Sequence, residues 1–259
     1  MSETQLSVEL RRLSHELRLF GINQSIERLS GLAMKDGLHP LEYLRLVLDE
    51  EKRFRFERTA KMLKTRAKFR SDAELEDWDH EFPRKFSKQQ FREVASLEFH
   101  RRRESLIIMG ATGSGKTHLA IALGKKLCTE GVKVHFYSFN LLLEESQAEK
   151  IAGKYLGFIK KMRSQDVLIF DDFGLRNYTH EEAQILIDIL EERYMKGSVI
   201  VTSQVDPEGW MKLFQDPVIA EAIVDRLTKP ALQLRFEVKD SYRSRVKYKK
   251  ELGSERSFQ

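Results

Sequence analysis

The chain has 259 residues, 33% of them charged and 41% hydrophobic, with a formal net charge of +5. That length fits one full α/β domain plus a small accessory domain, and the composition suits a soluble chain that can still bury a core. A single cysteine, Cys128, excludes an internal disulfide framework and a multi-cysteine zinc site, so its expected role is packing. No N-terminal apolar run resembles a signal peptide and no apolar stretch is long enough to span a bilayer, which makes the cytoplasm the expected location, with no membrane partner.

Leu6, Leu10, Leu13, Leu17 and Phe20 recur at helical spacing, so the chain is expected to open with an amphipathic helix ended by Gly21. Ile22, Ile26 and Leu29 continue a second short helix toward Gly31. His39-Pro40 opens a third, with Leu41, Leu44, Val47 and Leu48 on one face. Residues 1–70 therefore read as a small all-helical domain that binds DNA or a partner.

The end of that domain is basic. From Lys52 to Arg70 there are nine Lys or Arg residues and one acid, Glu57. Lys52, Arg53, Arg55, Arg58, Lys61 and Lys64 are the candidate DNA contacts. A solvated helix face with snorkelling stems is one reading; a phosphate-backbone surface is the other, and the scarcity of acids favours it. The sign then flips at Asp72, Glu74, Glu76, Asp77, Asp79 and Glu81, as expected of a linker over residues 71–104. The later part of it, with Phe86, Phe91, Val94, Leu97 and Phe99, is expected to form a helix against the next domain. Arg101-Arg102-Arg103 either touches nucleic acid or solvates a loop.

From residue 105 to 259 strand and helix signals alternate. The expected strands are Ser105–Met109, Lys133–Tyr137, Val167–Phe170, Ser198–Thr202 and Gln233–Val238, an alternation that implies a parallel sheet with helices on both faces. Between the second and third strands, Phe139 to Gln165 is long enough for an extra helical element besides the crossover. Its Lys150, Lys154, Lys160 and Lys161 read either as solvated lysines or as a basic wedge facing DNA.

The chemistry starts at Gly110-Ala111-Thr112-Gly113-Ser114-Gly115-Lys116-Thr117, followed by His118. Strand, glycine-rich loop and helix follow in the order a phosphate cradle needs. The glycines let backbone N–H groups converge on phosphate oxygens, and the helix N-terminus adds partial positive charge. Lys116 is expected to reach the β- and γ-phosphates of ATP and Thr117 to hold Mg²⁺. About 55 residues later an apolar strand ends in Asp171-Asp172, with Asp171 expected in the Mg²⁺ shell and Asp172 polarising the attacking water. Thr202-Ser203-Gln204 ends the next strand, and Ser203 is slightly favoured over Thr202 as the polar group near the γ-phosphate. Arg226 either reaches a neighbouring subunit's γ-phosphate or makes an ordinary surface pair with Asp225. Arg243 is placed to contact the phosphates of its own nucleotide.

Together, Gly110–Thr117 with His118-Leu119-Ala120, Asp171-Asp172-Phe173-Gly174, Thr202-Ser203-Gln204, Asp225-Arg226-Leu227 and Ser241-Tyr242-Arg243 resemble the IstB/DnaC-like branch of the AAA+ ATPases. Pro40-Leu41-Glu42-Tyr43-Leu44 and Glu50-Glu51-Lys52 are more similar to the IstB proteins of insertion sequences. The resemblance implies an α/β P-loop AAA+ (ASCE) fold, with a parallel five-stranded sheet, flanking helices, a small helical N-terminal domain and little or no C-terminal lid. It implies a homo-oligomer, ring or filament, that assembles on duplex DNA with ATP, largely without sequence preference, remodels it and aids a partner transposase. Arg226 becomes the finger acting in trans and Arg243 the sensor-two arginine. Asp172 departs from the more usual Glu. The alternatives are a DnaC-type helicase loader, which would use the helical domain to grip a protein ring, and a small-molecule P-loop kinase, which leaves Arg226 unexplained.

Overall fold

The computed structural model describes residues 3–238 and 241–242. The chain falls into two compact units that divide between Met62 and Leu63.

The first unit holds α1 (Glu3–Glu16), α2 (Phe20–Asp36) and most of α3 (Pro40–Arg66). The expected helix stop at Gly21 is corrected: α1 ends earlier, where Arg18 turns the chain at φ 57, and Gly21 lies inside α2. Its role is close approach, since a Cβ there would stand 2.6 Å from Phe54 Cβ and 2.9 Å from Glu51 Cα. Gly31 is likewise inside α2, which Gly37 ends in the left-handed conformation at φ 60. Glu51 does the work of an N-terminal cap from another helix: its Oε2 accepts the N–H groups of Gly21 and Ile22 at 2.7 and 3.1 Å. The apolar core is small, built on Ile22, Ile26, Leu29 and Val47.

The second unit includes residues 63–104, so the stretch 71–104 expected as a linker is folded into it. The backbone N–H of Phe136 donates to Ala67 O at 2.8 Å, and Trp78 packs its rings against Phe86, Phe91 and Phe236. The acids of this stretch have a partner too: Asp72 and Glu74 both pair with Lys125, whose side chain is only 7% exposed. A Ser87/Gln90 capping box opens α4 (Lys88–Ala95), and α5 (Glu98–Arg101) follows. The arginine triplet is engaged locally: Arg101 pairs with Glu98 and Glu130, Arg102 with Glu98, and Arg103 donates to Met195 O.

Five strands then form one parallel sheet in the order β2-β3-β4-β1-β5. They are β1 (Ser105–Gly110), β2 (Val134–Ser138), β3 (Val167–Phe173), β4 (Ser198–Ser203) and β5 (Ala231–Phe236), the last two residues earlier than expected. The helices are α6 (Lys116–Thr129), α7 (Phe139–Ile151), α8 (Tyr155–Arg163), α9 (His180–Arg193), α10 (Pro207–Trp210) and α11 (Pro217–Thr228). The region between β2 and β3 thus carries two helices, as its length suggests.

Strand alternation sorts the core into two layers. Leu106, Ile108, Ile169, Ile200 and Leu234 face α6 and the aromatic stretch before β1. Ile107, Met109, Leu168, Phe170, Val199 and Val201 face α7, α8, α9 and α11. Both faces are covered, which is why the strands read as unbroken apolar runs. Cys128 is fully buried in the first layer, and burial pushes its thiol up to about 11, so it packs rather than reacts.

Candidate functional site: a phosphate loop beside two carboxylates

β1, β3 and β4 end at the same edge of the sheet, and β4 lies between the other two. This edge brings together residues far apart in sequence. After β1 the chain turns through the loop to α6, whose N-cap Gly115 sits at φ 100. Gly113, at φ 73, leaves no space for a side chain beside Ser241, and its carbonyl accepts the Tyr242 N–H at 2.9 Å. Ser241 and Tyr242 therefore lie against the loop tip. Lys116 lies along the loop, its Nζ donating to Gly110 O and Ala111 O at 2.8 and 2.9 Å. A cleft of about 310 Å³ opens here, lined by Thr112, Gly113, Lys116, Thr117, Asp172 and Arg70 among others.

Asp171 is the hub. Its Oδ1 accepts the hydroxyls of Thr117 and Thr202, each at 2.7 Å. Its Oδ2 is buried and receives no hydrogen bond, although the Arg70 guanidinium stands 2.6 Å away. Burial pushes the Asp171 pKa upward, against the two hydroxyls and Arg70 that favour the ion. Asp172 follows at a break in the β3–β4 register, in the left-handed region at φ 61, with its N–H donating to Thr202 Oγ1 at 3.0 Å. A non-glycine residue held at positive φ beside a phosphate loop is strain of the kind that collects at functional sites.

Of the expected site residues, the structure brings Gly110 to Thr117, Asp171 and Asp172 to this cleft. His118 lines it but turns its ring to Trp78, 5.9 Å between centroids, where burial lowers its pKa. Ser203 is corrected. Its hydroxyl donates to Val205 O at 2.8 Å and accepts the Trp210 indole at 3.1 Å, so it closes the end of β4. Thr202, one residue earlier, holds the polar position against both carboxylate residues. Arg243 lies outside the described residues.

Arg226 is elsewhere. It pairs with Glu191 at 3.0 Å, rather than with Asp225, which Lys229 takes. It lines a second cleft with Arg103, Lys229 and Ser105, Gly197 and Pro230, the residues that start β1 or precede β4 and β5. That is the amino edge of the sheet, opposite the phosphate loop, about 17 Å away along a six-residue strand.

Half of the ten expected DNA-facing residues are in ion pairs. Arg53 binds Glu50 and Glu57, and Arg55 binds Glu51 at 2.7 Å. Lys64 meets Glu74, Lys150 meets Glu181 and Lys161 meets Glu145. Arg58 lies over the Phe20 ring, while Lys52, Lys154 and Lys160 are exposed. The expected shortage of acids reflects where the Lys52–Arg70 window begins: Glu50 and Glu51 sit immediately before it.

Sequence reasoning missed three residues. Thr202 was considered and set second, because strand alternation could not say which hydroxyl faces Asp171. Arg70 was counted only within the basic run. Arg84, 3% exposed, was not noticed: its guanidinium lies between Trp78 and Phe82 and its Nε donates to Ser114 O at 2.8 Å, bracing the loop from beneath. A lone arginine among aromatics was the only available sign.

Residues 12–250 match the model of the family described as IstB-like ATP binding protein. The chain is 32% identical over 241 residues to an ATP-binding protein of insertion sequence IS21 from Pseudomonas aeruginosa, covering 93% of this chain and 91% of that one. An insertion-sequence ATP-binding protein from Mycobacterium tuberculosis is 30% identical, with 91% and 94% covered. Among solved structures, DnaI superimposes with a TM-score of 0.55 at 19% identity, covering 64% of this chain and 91% of that one. AMPPCP-bound DnaA from Aquifex aeolicus gives 0.55 at 19%, covering 71% and 56%. The structural likenesses establish the AAA+ fold, the family match covers most of the chain, and the chain accordingly belongs to the IstB-like ATP binding proteins and is an AAA+ ATPase.

Proposed function

We propose that the chain is the ATP-driven helper of an insertion sequence: it oligomerises on duplex DNA, remodels it and recruits or stimulates the partner transposase. The family's link to insertion sequences supports the setting. One observation carries the oligomer: Arg226 sits at the sheet edge opposite the phosphate loop, so it serves a nucleotide only in a neighbouring subunit.

The residues present fit a hard cation beside the phosphates. Asp171 offers a buried Oδ2 that accepts no hydrogen bond and meets only the Arg70 guanidinium, and the Thr117 hydroxyl lies 2.7 Å from Oδ1, an all-oxygen donor set. Thr117 and Asp171 would hold Mg²⁺, which when bound neutralises charge on the phosphate oxygens. Backbone N–H groups of the loop and the Lys116 ammonium bind the phosphates. Asp172 orients the attacking water, held in register by the Thr202 hydroxyl that its N–H touches. Arg226 from the next subunit stabilises charge on the terminal phosphate. DNA contact falls to exposed Lys52, Lys154 and Lys160 and to Arg58, joined by the paired arginines, since surface ion pairs are weak enough to exchange for phosphate.

Subunit mixing tests this. Arg226→Ala should bind ATP but not hydrolyse it, Lys116→Ala should bind none, and a mixture on duplex DNA should recover part of the activity. No recovery at any ratio overturns the shared site. Imaging with duplex and a non-hydrolysable ATP analogue should show rings or filaments around DNA; capture of a helicase without duplex binding would instead support a loader.

A further inference from the structure

Arg70 stands where the chain's own cation should not be needed. Its Nη2 is 2.6 Å from Asp171 Oδ2, 3.3 Å from Thr117 Oγ1 and 3.7 Å from Asp172 Oδ2. One guanidinium nitrogen thus touches the same three groups that gather around the expected metal position. We propose that Arg70 is a positioning residue of the ATPase site, a tethered counter-cation that shares the Asp171–Thr117 position with Mg²⁺ by exchange and so sets how much metal nucleotide binding requires. This rests on the reading of Thr117 and Asp171 as the metal-holding pair.

Three features support exchange over a fixed ion pair. First, the contact to Oδ2 is ionic and lacks hydrogen-bond geometry. A structural arginine would present its two-pronged face to the carboxylate, and this one does not. Second, the segment is anchored while the side chain is not. Ala67, three residues earlier, is fully buried and holds the Phe136 N–H, whereas the Arg70 side chain is 43% exposed and lies over the Phe136 ring at 5.7 Å. The backbone keeps the half-exposed guanidinium within reach of the site. Third, the space admits one cation: the guanidinium's Nη2 lies 2.6 Å from Asp171 Oδ2 and 3.3 Å from Thr117 Oγ1, the two groups that would hold the metal. A divalent ion at the same oxygens would repel it at short range.

The test uses the full chain and a fluorescent ADP analogue, which removes hydrolysis from the readout. Affinity is measured across a Mg²⁺ titration for the wild type, Arg70→Ala and Arg70→Lys. Losing the competitor should lower the half-saturating Mg²⁺ by about tenfold in Arg70→Ala, with Arg70→Lys between it and the wild type. Melting gives a second readout: without metal Arg70→Ala should melt below the wild type, and Mg²⁺ alone should raise its Tm more than it raises the wild type's. Equal Mg²⁺ requirements in a metal-dependent wild type and Arg70→Ala would overturn the exchange. A wild type whose ADP affinity ignores Mg²⁺ would instead overturn the metal assignment beneath it. Should the alanine variant fail to fold, Arg70→Gln keeps most of the length without the charge and carries the same expectation.

Discussion

The two units handle their large apolar side chains differently. In the ATPase unit, Phe139, Phe170, Phe173, Tyr178 and Trp210 are at most 2% exposed and interlock on one face of the sheet. In the helical unit, Leu6, Val8, Leu17, Met34, Leu41, Leu44, Leu48 and Phe56 are 49–71% exposed, around a core of four buried residues. A sheet covered on both faces fills two layers, whereas three helices with no sheet to pack on have little inside to fill. The stability of the first region rests on packing, and that of the second leans on close backbone approach and on polar contacts such as the Glu51 cap.

Both tryptophans, Trp78 and Trp210, lie in the ATPase unit, so their fluorescence follows that unit while far-UV circular dichroism follows both. The largest expected effect is Phe173→Ala, which opens a cavity among Phe139, Tyr178 and Trp210 and should cost about 3–5 kcal/mol. Leu29→Ala in the helical core should cost about 2–3 kcal/mol, the low end for such a change, because a loose site collapses more easily. Urea titration checks both, and equal losses would break the comparison. Gly21→Ala comes next. The new Cβ meets the backbone of α3, not merely a flexible side chain, and should cost about 2 kcal/mol. That loss should appear in the dichroism transition and leave the tryptophan transition in place.

Glu51 gives the comparison a pH dependence. Burial works against its carboxylate, but Arg55 and the N–H groups of Ile22 and Gly21 outweigh it and hold its pKa below the usual carboxylate value. A lowered folded pKa means the stabilisation is complete above the unfolded value and fades as pH falls through the folded one. Glu51→Gln should therefore cost the helical unit about 1.5 kcal/mol at neutral pH and flatten its acid sensitivity below about pH 4.5. An unchanged acid limb in the dichroism melts would show that Glu51 is not the titrating cap.

Periodicity made the fold legible. β1 to β4 are legible because parallel strands buried on both faces are largely apolar, the edge strand β5, with Gln233 and Arg235 exposed, shows only alternation and starts two residues earlier than expected, and the phosphate loop is legible because its residues are contiguous. Gly21 lies inside α2 although it reads as a stop, since close approach to another helix leaves the same mark in sequence as a helix end; Gly31, with open space beside it, is simply tolerated within the helix. Residues 71–104 looked like a linker because their charges change sign, yet Asp72 and Glu74 find Lys125 and Trp78 finds Phe236, partners 50 to 160 residues away. Arg70 and Thr202 were obscured for the same reason: Asp171 selects them through space, and no local spacing records it.

The smallest expected effect on stability is also the most discriminating. Asp172 occupies the left-handed region, which Asp and Asn tolerate far better than longer side chains. This gives a physical reason for a short acid at this position: at φ 61 a glutamate would add about 1 kcal/mol of backbone strain. Asp172→Asn keeps the backbone preference and removes only the carboxylate charge. It should shift the tryptophan transition by less than about 0.5 kcal/mol and leave ADP affinity intact, while ATP hydrolysis falls by about a hundredfold or more. A loss of stability above about 1 kcal/mol would mean that the carboxylate's ionic contact with Arg70 holds the turn rather than the residue's tolerance of positive φ. Retained hydrolysis would remove Asp172 from the water-orienting role and leave that task to the Asp171–Thr202 pair.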